Sequence, residues 1–279
     1  MAHRTLVQKY KKHHLVLSCS ILVAAIVFAV ANYRAGRLEE VPPSTLSPLI
    51  TDSAPVQTET TMPSFNFEYE NVKYVVHPRA EYELYGLIVT HNNTAGIGDI
   101  YHDNRSVDLK DICVVWGRNA ASGIYQKIQF WSEPWTCRFS TRDDGVWSEF
   151  SLTEVSNNHL LAGTGTVRAA VKGLHVGDQV YLKGYLVDYA HQDFPEQLRQ
   201  SSLTRMDTGD GACEVFFVTD ARVIKAAPGS WFFLRKIFGW LILLLLAFKV
   251  VYLFFTSQRE FRVLKEAGEM KWDNLSKHQ

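Results

Sequence analysis

Two long apolar runs, one near each end of the chain, constrain its fold more than any other feature. The first, Leu15–Ala31, contains no charged residue and lies in a predicted transmembrane helix over residues 15–33. The second predicted helix covers residues 231–255 and carries Trp231 and Trp240 in its N-terminal part. A hydrocarbon core about 30 Å thick needs about 20 helical residues to cross it. We therefore expect both runs to span a lipid bilayer.

The distribution of charge predicts the orientation of the two spans. Residues 1–14 carry a basic cluster around Lys9 and no acidic residue, and such tails stay in the cytoplasm. Residues 256–279 then form a second cytoplasmic tail, and the chain between the spans lies outside the membrane. One alternative stays open. Ala29 and Ala31 also fit a signal-peptide cleavage site, and cleavage there would leave a single C-terminal anchor.

The region between the spans divides into a linker and a domain. Residues 34–64 are rich in Ser, Thr and Pro and offer few side chains to bury, so we expect a linker. Residues 65–226 form the extracytoplasmic domain. Residues 35–230 carry 16 Lys and Arg against 25 Asp and Glu, a net charge of −9. Such a surface is a poor partner for a phosphate backbone, so we expect no nucleic-acid partner.

Runs of β-branched and aromatic residues, separated by turn residues, predict strands throughout the domain. Tyr82–Thr90 and Gly177–Val187 are the clearest runs, and Asp111–Gly117 is shorter. Val167–Val171 is the one short helical stretch. Seven or more strands with one short helix predict a small antiparallel barrel or a sandwich. The segment Gly177-Asp-x-Val-x-Leu-x-Gly184 resembles the curved strands of OB-like barrels. The expected fold class is therefore membrane-anchored and mainly β, with this barrel or sandwich between two transmembrane helices.

The cysteine pattern permits one disulfide in the domain. Cys19 lies in the first span, whereas Cys113, Cys137 and Cys213 lie in the domain. An oxidising compartment allows one bridge among these three and leaves one thiol, but their spacing does not determine the pair. Simple buried cysteines without a bridge are the alternative. No two cysteines are separated by two residues, so the sequence encodes neither a thioredoxin-like motif nor a zinc knuckle.

The densest polar cluster is the loop Ser201–Glu214, which joins two predicted strands. Its arginine can clamp an anion, while the loop glycines let backbone N–H groups approach a ligand. Alternatively, this arginine pairs with a carboxylate of the same loop. We expect it to lie in an ion pair at the floor of a pocket. The candidate ligand-binding residues are Arg205, Asp207, Glu214, His159 and Ser202.

A hydrolytic site can also be composed from these residue types. Ser202 would be the nucleophile, His159 or His191 the base, and Asp207 the group that orients the base. The chain has neither a Gly-x-Ser-x-Gly elbow nor a Ser-x-x-Lys motif, so the catalytic residues stay unassigned. Metal binding by the same histidines with a carboxylate is the weaker alternative. We predict no metal site and no cofactor.

Four segments together carry a resemblance. They are Asp111-Ile-Cys-Val-Val-Trp-Gly117, Asn158-His159-Leu160, Gly177-Asp178-x-Val, and the stretch Ser-Ser-x-x-Arg-x-Asp-x-Gly-x-Gly-Ala-Cys-Glu that begins at Ser201. The combination resembles a group of uncharacterised bacterial membrane-anchored proteins over residues 80–225. That resemblance implies a location in the bacterial envelope and no particular chemistry.

These observations predict a two-pass protein of the bacterial inner membrane. Its extracytoplasmic domain is expected to bind a ligand or another envelope protein without catalysis. Two alternatives stay open: a periplasmic hydrolase built from the residues named above, and an accessory or sensor subunit of an envelope complex. Residues 256–279 are too few to fold as a signalling domain, which argues against a signalling enzyme within the same chain.

Overall fold

The computed structural model describes residues 2–94, 106–207 and 213–276. The chain divides into two units, one formed by its two ends up to Ala35 and from Gly229, the other by Gly36–Pro228. The helices are α1 Ala2–Arg34, α2 Pro48–Thr51, α3 Gly117–Ala121, α4 Asp144–Glu149, α5 Gly165–Lys172 and α6 Ser230–Ser276. The strands are β1 Val56–Thr58, β2 Phe65–Tyr69, β3 Val72–Asn93, β4 Lys110–Val115, β5 Gln129–Glu133, β6 Thr136–Ser140, β7 Val155–Ala162, β8 Gln179–His191 and β9 Glu214–Lys225.

Two long apolar helices, α1 and α6, make up the first unit. The segments Lys12–Arg34 and Ser230–Val263 are long and apolar enough to cross a membrane. Both helices extend beyond the predicted spans, because polar flanking residues can continue a helical backbone once it has formed. The two helices contact each other, since Lys249 Nζ donates a hydrogen bond to Ser18 Oγ at 3.2 Å.

A seven-stranded sheet forms the scaffold of the second unit. Along one edge β3 pairs in turn with β2, β1 and β4, and along its other edge it pairs with β8. From β4 the order continues through β7 and β9 to β8, whose pairing with β3 closes these strands into a barrel. The pair β7 and β9 runs parallel, so the expected antiparallel sheet contains one parallel pair.

Gly184 allows β8 to approach β9 closely. The register between these strands shifts between Lys183 and Gly184. A Cβ atom at Gly184 would lie 2.0 Å from the carbonyl oxygen of Phe217, a distance that no side chain tolerates. The close approach of the two backbones therefore requires glycine at this position.

Residues 34–64 differ from the unpacked linker that their composition predicts. Val41, Leu46 and Ile50 are buried in the main core of the second unit. Tyr125 donates a hydrogen bond to the Val41 carbonyl, and Gln179 Oε1 accepts one from the backbone of Ser47 at 2.8 Å. The buried side chains are spread between prolines and show no strand or helix period. For that reason the composition alone did not reveal that the segment packs.

Helix and sheet both contribute substantially to the chain. The barrel interior is filled by buried apolar side chains from its strands, and α5 adds Val171 to the same core. The register between β8 and β9 shifts opposite Lys183 and Gly184, and β9 continues through this bulge as one strand. The large sheet, with one long apolar helix before it in the chain and one after it, confirms the coarse architecture that the sequence predicts. The chain as a whole is mixed α and β rather than mainly β.

Candidate functional site

A cavity of about 680 Å³ opens among the hairpin β5–β6, strands β4 and β7, and the loop that follows β8. Small-molecule sites typically enclose about 300–1,000 Å³, so its size suits a small ligand or the end of a peptide. Its walls combine basic, aromatic and sulfur-containing side chains. The lining residues are Cys113, Pro134, Trp135, Thr136, Cys137, Arg138, Phe139, Leu152, Thr153, Val155, Ser156, Asn157, Arg199, Arg205, Met206, Asp207 and Cys213.

Strand register collects a set of polar residues on one face of the barrel. In the ladder between β4 and β7, Asp111 pairs with His159 and Cys113 pairs with Asn157. In the parallel ladder between β7 and β9, Glu214 pairs with Asn158. Because side chains alternate along a strand, Glu214 and Asn158 face one side, whereas Asn157, His159 and Cys213 face the other. One face therefore carries Asp111, Cys113, Asn157, His159 and Cys213.

His159 lies almost completely buried between an acidic and a basic partner. Its Nδ1 is 2.7 Å from Asp111 Oδ1, and its Nε2 is 3.0 Å from a guanidinium nitrogen of Arg199. A guanidinium can only donate, so Nε2 accepts from Arg199 and the ring proton lies on Nδ1. Burial opposes a second proton, but hydrogen bonds and charges from Asp111 and Cys213 outweigh it and raise the pKa of His159 to about 10. The second proton would go on Nε2, so the doubly protonated ring and the hydrogen bond from Arg199 exclude each other.

The turn of the β5–β6 hairpin is hydrogen-bonded to the strands that carry Asp111 and His159. The backbone N–H of Trp135 donates to Asp111 Oδ2 at 3.1 Å, and the Trp135 carbonyl accepts from Asn157 Nδ2 at 3.0 Å. Trp135 has a φ of 61°, a left-handed conformation that is rare for an aromatic residue. The sheet and the hairpin thus hold each other through Asp111 and Asn157, and the turn conformation is part of that connection.

Arg205, which lines the cavity, forms with Glu214 the ion pair that the loop composition predicts. Arg205 also donates to Tyr82 Oη at 2.5 Å and lies over the Tyr82 and Trp116 rings at 5.2 and 5.6 Å. Burial raises the pKa of Glu214 to about 7, although the Arg205 charge acts in the opposite direction. The buried carboxylate is only partly compensated, because its Oε2 has no hydrogen-bond partner among the described residues.

The predicted Ser202 triad is not assembled by the hydrogen bonds of the described residues. Ser202 Oγ lies 2.5 Å from Asp207 Oδ2 and donates to the Thr204 carbonyl, so it serves to shape its own loop. His191 lies elsewhere, where its Nδ1 accepts from the backbone of Asp193 and its ring packs against Tyr74. Neither His159 nor His191 is hydrogen-bonded to Ser202 in the part of the chain that the structure describes. The hydrolase built on Ser202 is therefore not supported by this geometry.

The structure shows which two cysteines of the domain form the disulfide. Cys113 and Cys137 form the disulfide, with Cα atoms 5.8 Å apart, and it joins β4 to β6. Cys213 is a free, partly exposed thiol, and Cys19 in α1 is also free. The bridge and the free thiol both line the cavity.

Sequence reasoning found part of this site and missed the rest. Of the five candidates, Arg205 pairs with Glu214 and Ser202 contacts Asp207, while His159 lies on a neighbouring strand. The residues missed were Asp111, Asn157, Arg199 and Cys213. The alternation of Asn157 and His159 along one strand was the available signal, because polar residues two apart share a face. Residues 208–212 of the predicted loop lie outside the described residues.

Comparisons with other proteins do not add a family. No protein-family model, no curated protein and no solved structure matches this chain. Among the described residues, no group of three His, Cys, Asp or Glu side chains is arranged to hold a metal ion.

Proposed function

We propose that this chain is a two-pass membrane protein that holds a ligand-binding domain on the extracytoplasmic side, with both termini in the cytoplasm. The two long apolar helices and the basic residues before the first span support this topology. A location in the bacterial inner membrane rests on the sequence resemblance described above. The lipid bilayer is then the first partner of the chain.

We propose further that the barrel is OB-like. Five strands close the barrel, and in chain order they are β3, β4, β7, β8 and β9. Around the barrel the first lies next to the second, then come the third, the fifth and the fourth, and the fourth pairs with the first. The third and fifth of these are parallel, and helix α5 lies between the third and fourth. OB-like barrels bind ligands on the face of the second and third strands and on the adjoining loops. The cavity occupies the corresponding position, beside β4, β7 and the loop after β8.

The chemistry of the cavity supports a ligand with an anionic group and an apolar part. Arg138, Arg199 and Arg205 line it, and arginine binds carboxylates in a planar, two-pronged geometry. Trp135 and Phe139 supply apolar walls. The arginine-lined cavity is the single observation that carries this proposal, and the binding it implies needs no catalytic step.

The proposal is tested by thermal melting of the full-length protein in detergent. Succinate, glutamate and an N-acetylated amino acid serve as probes, each matched with its neutral amide. A ligand that binds the folded state raises the melting temperature, so at least one acid should do so and its amide should not. Arg205→Ala should remove the shift, whereas Arg222→Ala, an exposed arginine that pairs with Asp220, should keep it. If acids and amides behave alike, the anion-binding proposal fails.

A docking role in an envelope complex is the second candidate, favoured by exposed apolar side chains beside the cavity. Trp147 and Leu152 are large, apolar and exposed; Leu152 lines the cavity, and Trp147 stacks on Phe139 of its wall. Clustered apolar exposure of this kind marks protein interfaces. A photo-crosslinking residue at Trp147 should capture a defined envelope protein in cells, and the same residue at exposed Val56 should not. Equal results at both positions would count against docking.

A further inference from the structure

Lys249 is the only charged residue in the two apolar runs, Leu15–Ala31 and Ile237–Phe255. Its Nζ donates a hydrogen bond to Ser18 Oγ at 3.2 Å, so the side chain is directed toward α1. Ser18 Oγ in turn donates to the His14 carbonyl at 2.8 Å, which leaves its lone pairs for the ammonium. A cationic side chain within a span is costly, and it is retained where it has an anionic partner or a polar environment.

The two helices do not supply an anion for Lys249. An ammonium group has three N–H donors, and Ser18 is the one hydrogen-bond partner of Lys249 among the described residues. Residues 1–38 and 221–259 contain no acidic residue. The next acid along α6 is Glu260, eleven residues later, which places its Cα about 16 Å farther along the helix axis. The compensating charge for this lysine therefore comes from outside the two helices.

A cavity of about 810 Å³ opens between α1 and α6 next to Ser18, which lines it. Tyr10 and Tyr252 contact each other edge-on, with ring centroids 6.4 Å apart, and this contact joins the two helices at the cavity. The Lys249 side chain is only partly buried, so a molecule in the cavity can approach its two remaining N–H donors. The lining combines polar with apolar groups, which come from Tyr10, His14, Thr256 and Ser257 and from Leu15 and Leu253.

The cavity lies at the level where both predicted spans end. Ser18 is three residues inside the first span, or about 4.5 Å along the helix from Leu15. On α6, Thr256 and Ser257 directly follow the last residue of the second predicted span. In the proposed topology this is the level of the cytoplasmic head groups, and a lysine stem is long enough to bring its ammonium there. The phosphate of a lipid is therefore the anion within reach of Lys249.

The groups around the cavity favour a phospholipid with a net negative charge. Lys12 and Arg259 are exposed, and each lies two residues beyond the last lining residue of its helix. Basic pockets between transmembrane helices bind anionic head groups, whereas the cation of a choline head group would be repelled by such surroundings. Leu15 and Leu253 offer apolar surface for an acyl chain, which free phosphate lacks.

We propose that the cavity between α1 and α6 binds an anionic phospholipid, with the phosphate at Lys249 and an acyl chain along Leu15 and Leu253. A lysine that only extends to the head groups contacts any phospholipid, whereas Lys249 is fixed on Ser18 beside a cavity and therefore selects by charge. The site rests on the proposed topology, because both helices have to lie in one bilayer. It belongs to the first unit of the chain, whereas the arginine-lined cavity belongs to the second.

The test measures lipid binding to the full-length protein in detergent micelles by native mass spectrometry. Phosphatidylglycerol and phosphatidylcholine with the same acyl chains are added at equal concentrations. We expect the protein to retain phosphatidylglycerol roughly 5-fold better, the preference that one basic residue at a membrane surface provides. Lys249→Gln should abolish this preference, and Lys249→Arg should keep it. Lys236→Gln is the matched control, because it removes a lysine next to the other end of the same apolar run, and it should also keep the preference.

Equal retention of the two lipids by the unmodified protein overturns the inference, and so do equal losses in Lys249→Gln and Lys236→Gln. Inorganic phosphate should not displace the bound lipid, and displacement would make free phosphate the ligand and overturn the lipid assignment. Should Lys249→Gln fail to melt cooperatively, Leu15→Trp decides, because it keeps the lysine and fills part of the cavity. This variant should weaken phosphatidylglycerol retention, and unchanged retention would overturn the inference.

The mass of the same purified chain distinguishes failure of the lipid site from failure of the topology. A chain that retains both spans but shows no preference for phosphatidylglycerol refutes the lipid site and leaves the two-span topology intact. A mature chain that begins at Asn32 lacks the α1 side of the cavity and would refute both.

Discussion

Arg205 and Glu214 form an ion pair whose acidic partner is only 3% exposed. Removing the arginine leaves an uncompensated buried carboxylate, which costs about 3–5 kcal/mol. We therefore expect Arg205→Ala to lower the free energy of unfolding by that amount at pH 8, measured by urea denaturation. The control is Arg222→Ala, where a 70% exposed arginine pairs with Asp220 and the expected cost is below about 1 kcal/mol. Similar small losses in the two variants would contradict a buried pair.

The same carboxyl group predicts a dependence on pH. Burial raises the pKa of Glu214 to about 7 from its ordinary value of 4.5, against the opposing Arg205 charge. A carboxyl whose pKa is higher in the folded state stabilises the protein at low pH, and this contribution is lost as pH rises through the folded pKa. Glu214→Gln stays neutral, so its stability relative to wild type should increase between about pH 4.5 and 8, by on the order of 1–3 kcal/mol. A difference that does not change with pH would refute the raised pKa.

The site contains two buried pairs, Arg205 with Glu214 and Asp111 with His159. Residue identity alone could predict the first pair and not the second. Arg205 and Glu214 lie in the same polar loop, so a short-range ion pair was an available expectation. Asp111 and His159 are 48 positions apart and meet only because β4 and β7 pair in one register. Composition does not specify register, and a shift by one residue would turn every side chain to the other face.

At the scale of elements, the segment before β2 is a structural part of the domain. Ile50 in α2 is fully buried, whereas its neighbour Leu49 is 47% exposed. Truncating a buried isoleucine removes apolar burial and leaves a cavity, at a cost of about 2–5 kcal/mol. We expect Ile50→Ala to lose that much stability and Leu49→Ala to lose little, measured by thermal and urea unfolding. Equal, negligible losses would restore the interpretation of residues 34–64 as a free linker.

Elements with a strong period could be predicted, and elements held by long-range contacts could not. Tyr82–Thr90 lies within β3 and Val167–Val171 lies within α5, because alternation and a short helical pattern are local signals. The burial of Val41 depends on Tyr125 and the rest of a core far away in sequence. The parallel pairing of β7 with β9 likewise depends on the crossover that α5 and β8 provide, which no window of sequence contains.

At the scale of the whole molecule, the asymmetry of charge complements the two apolar helices. The chain is neutral overall, but its N-terminal tail is basic and the region between the helices is acidic. Basic residues next to a span resist transfer across the membrane, whereas long domains cross largely regardless of their charge. The proposed topology puts the acidic domain and the basic tail on opposite sides of the bilayer, and it requires the second helix to return the chain to the first side.

Reporter fusions test this topology in the intact chain. Alkaline phosphatase fused after Glu70, in the turn between β2 and β3, should be active, because its disulfides form only outside the cytoplasm. The same enzyme fused at Gln279 should be inactive, since an even number of spans returns the C-terminus to the cytoplasm. Activity at Gln279 or inactivity at Glu70 would reverse the proposed orientation. Mass spectrometry of the purified chain tests the first span separately. A mature protein that begins at Asn32 would show that this span is cleaved and that α6 is the sole anchor.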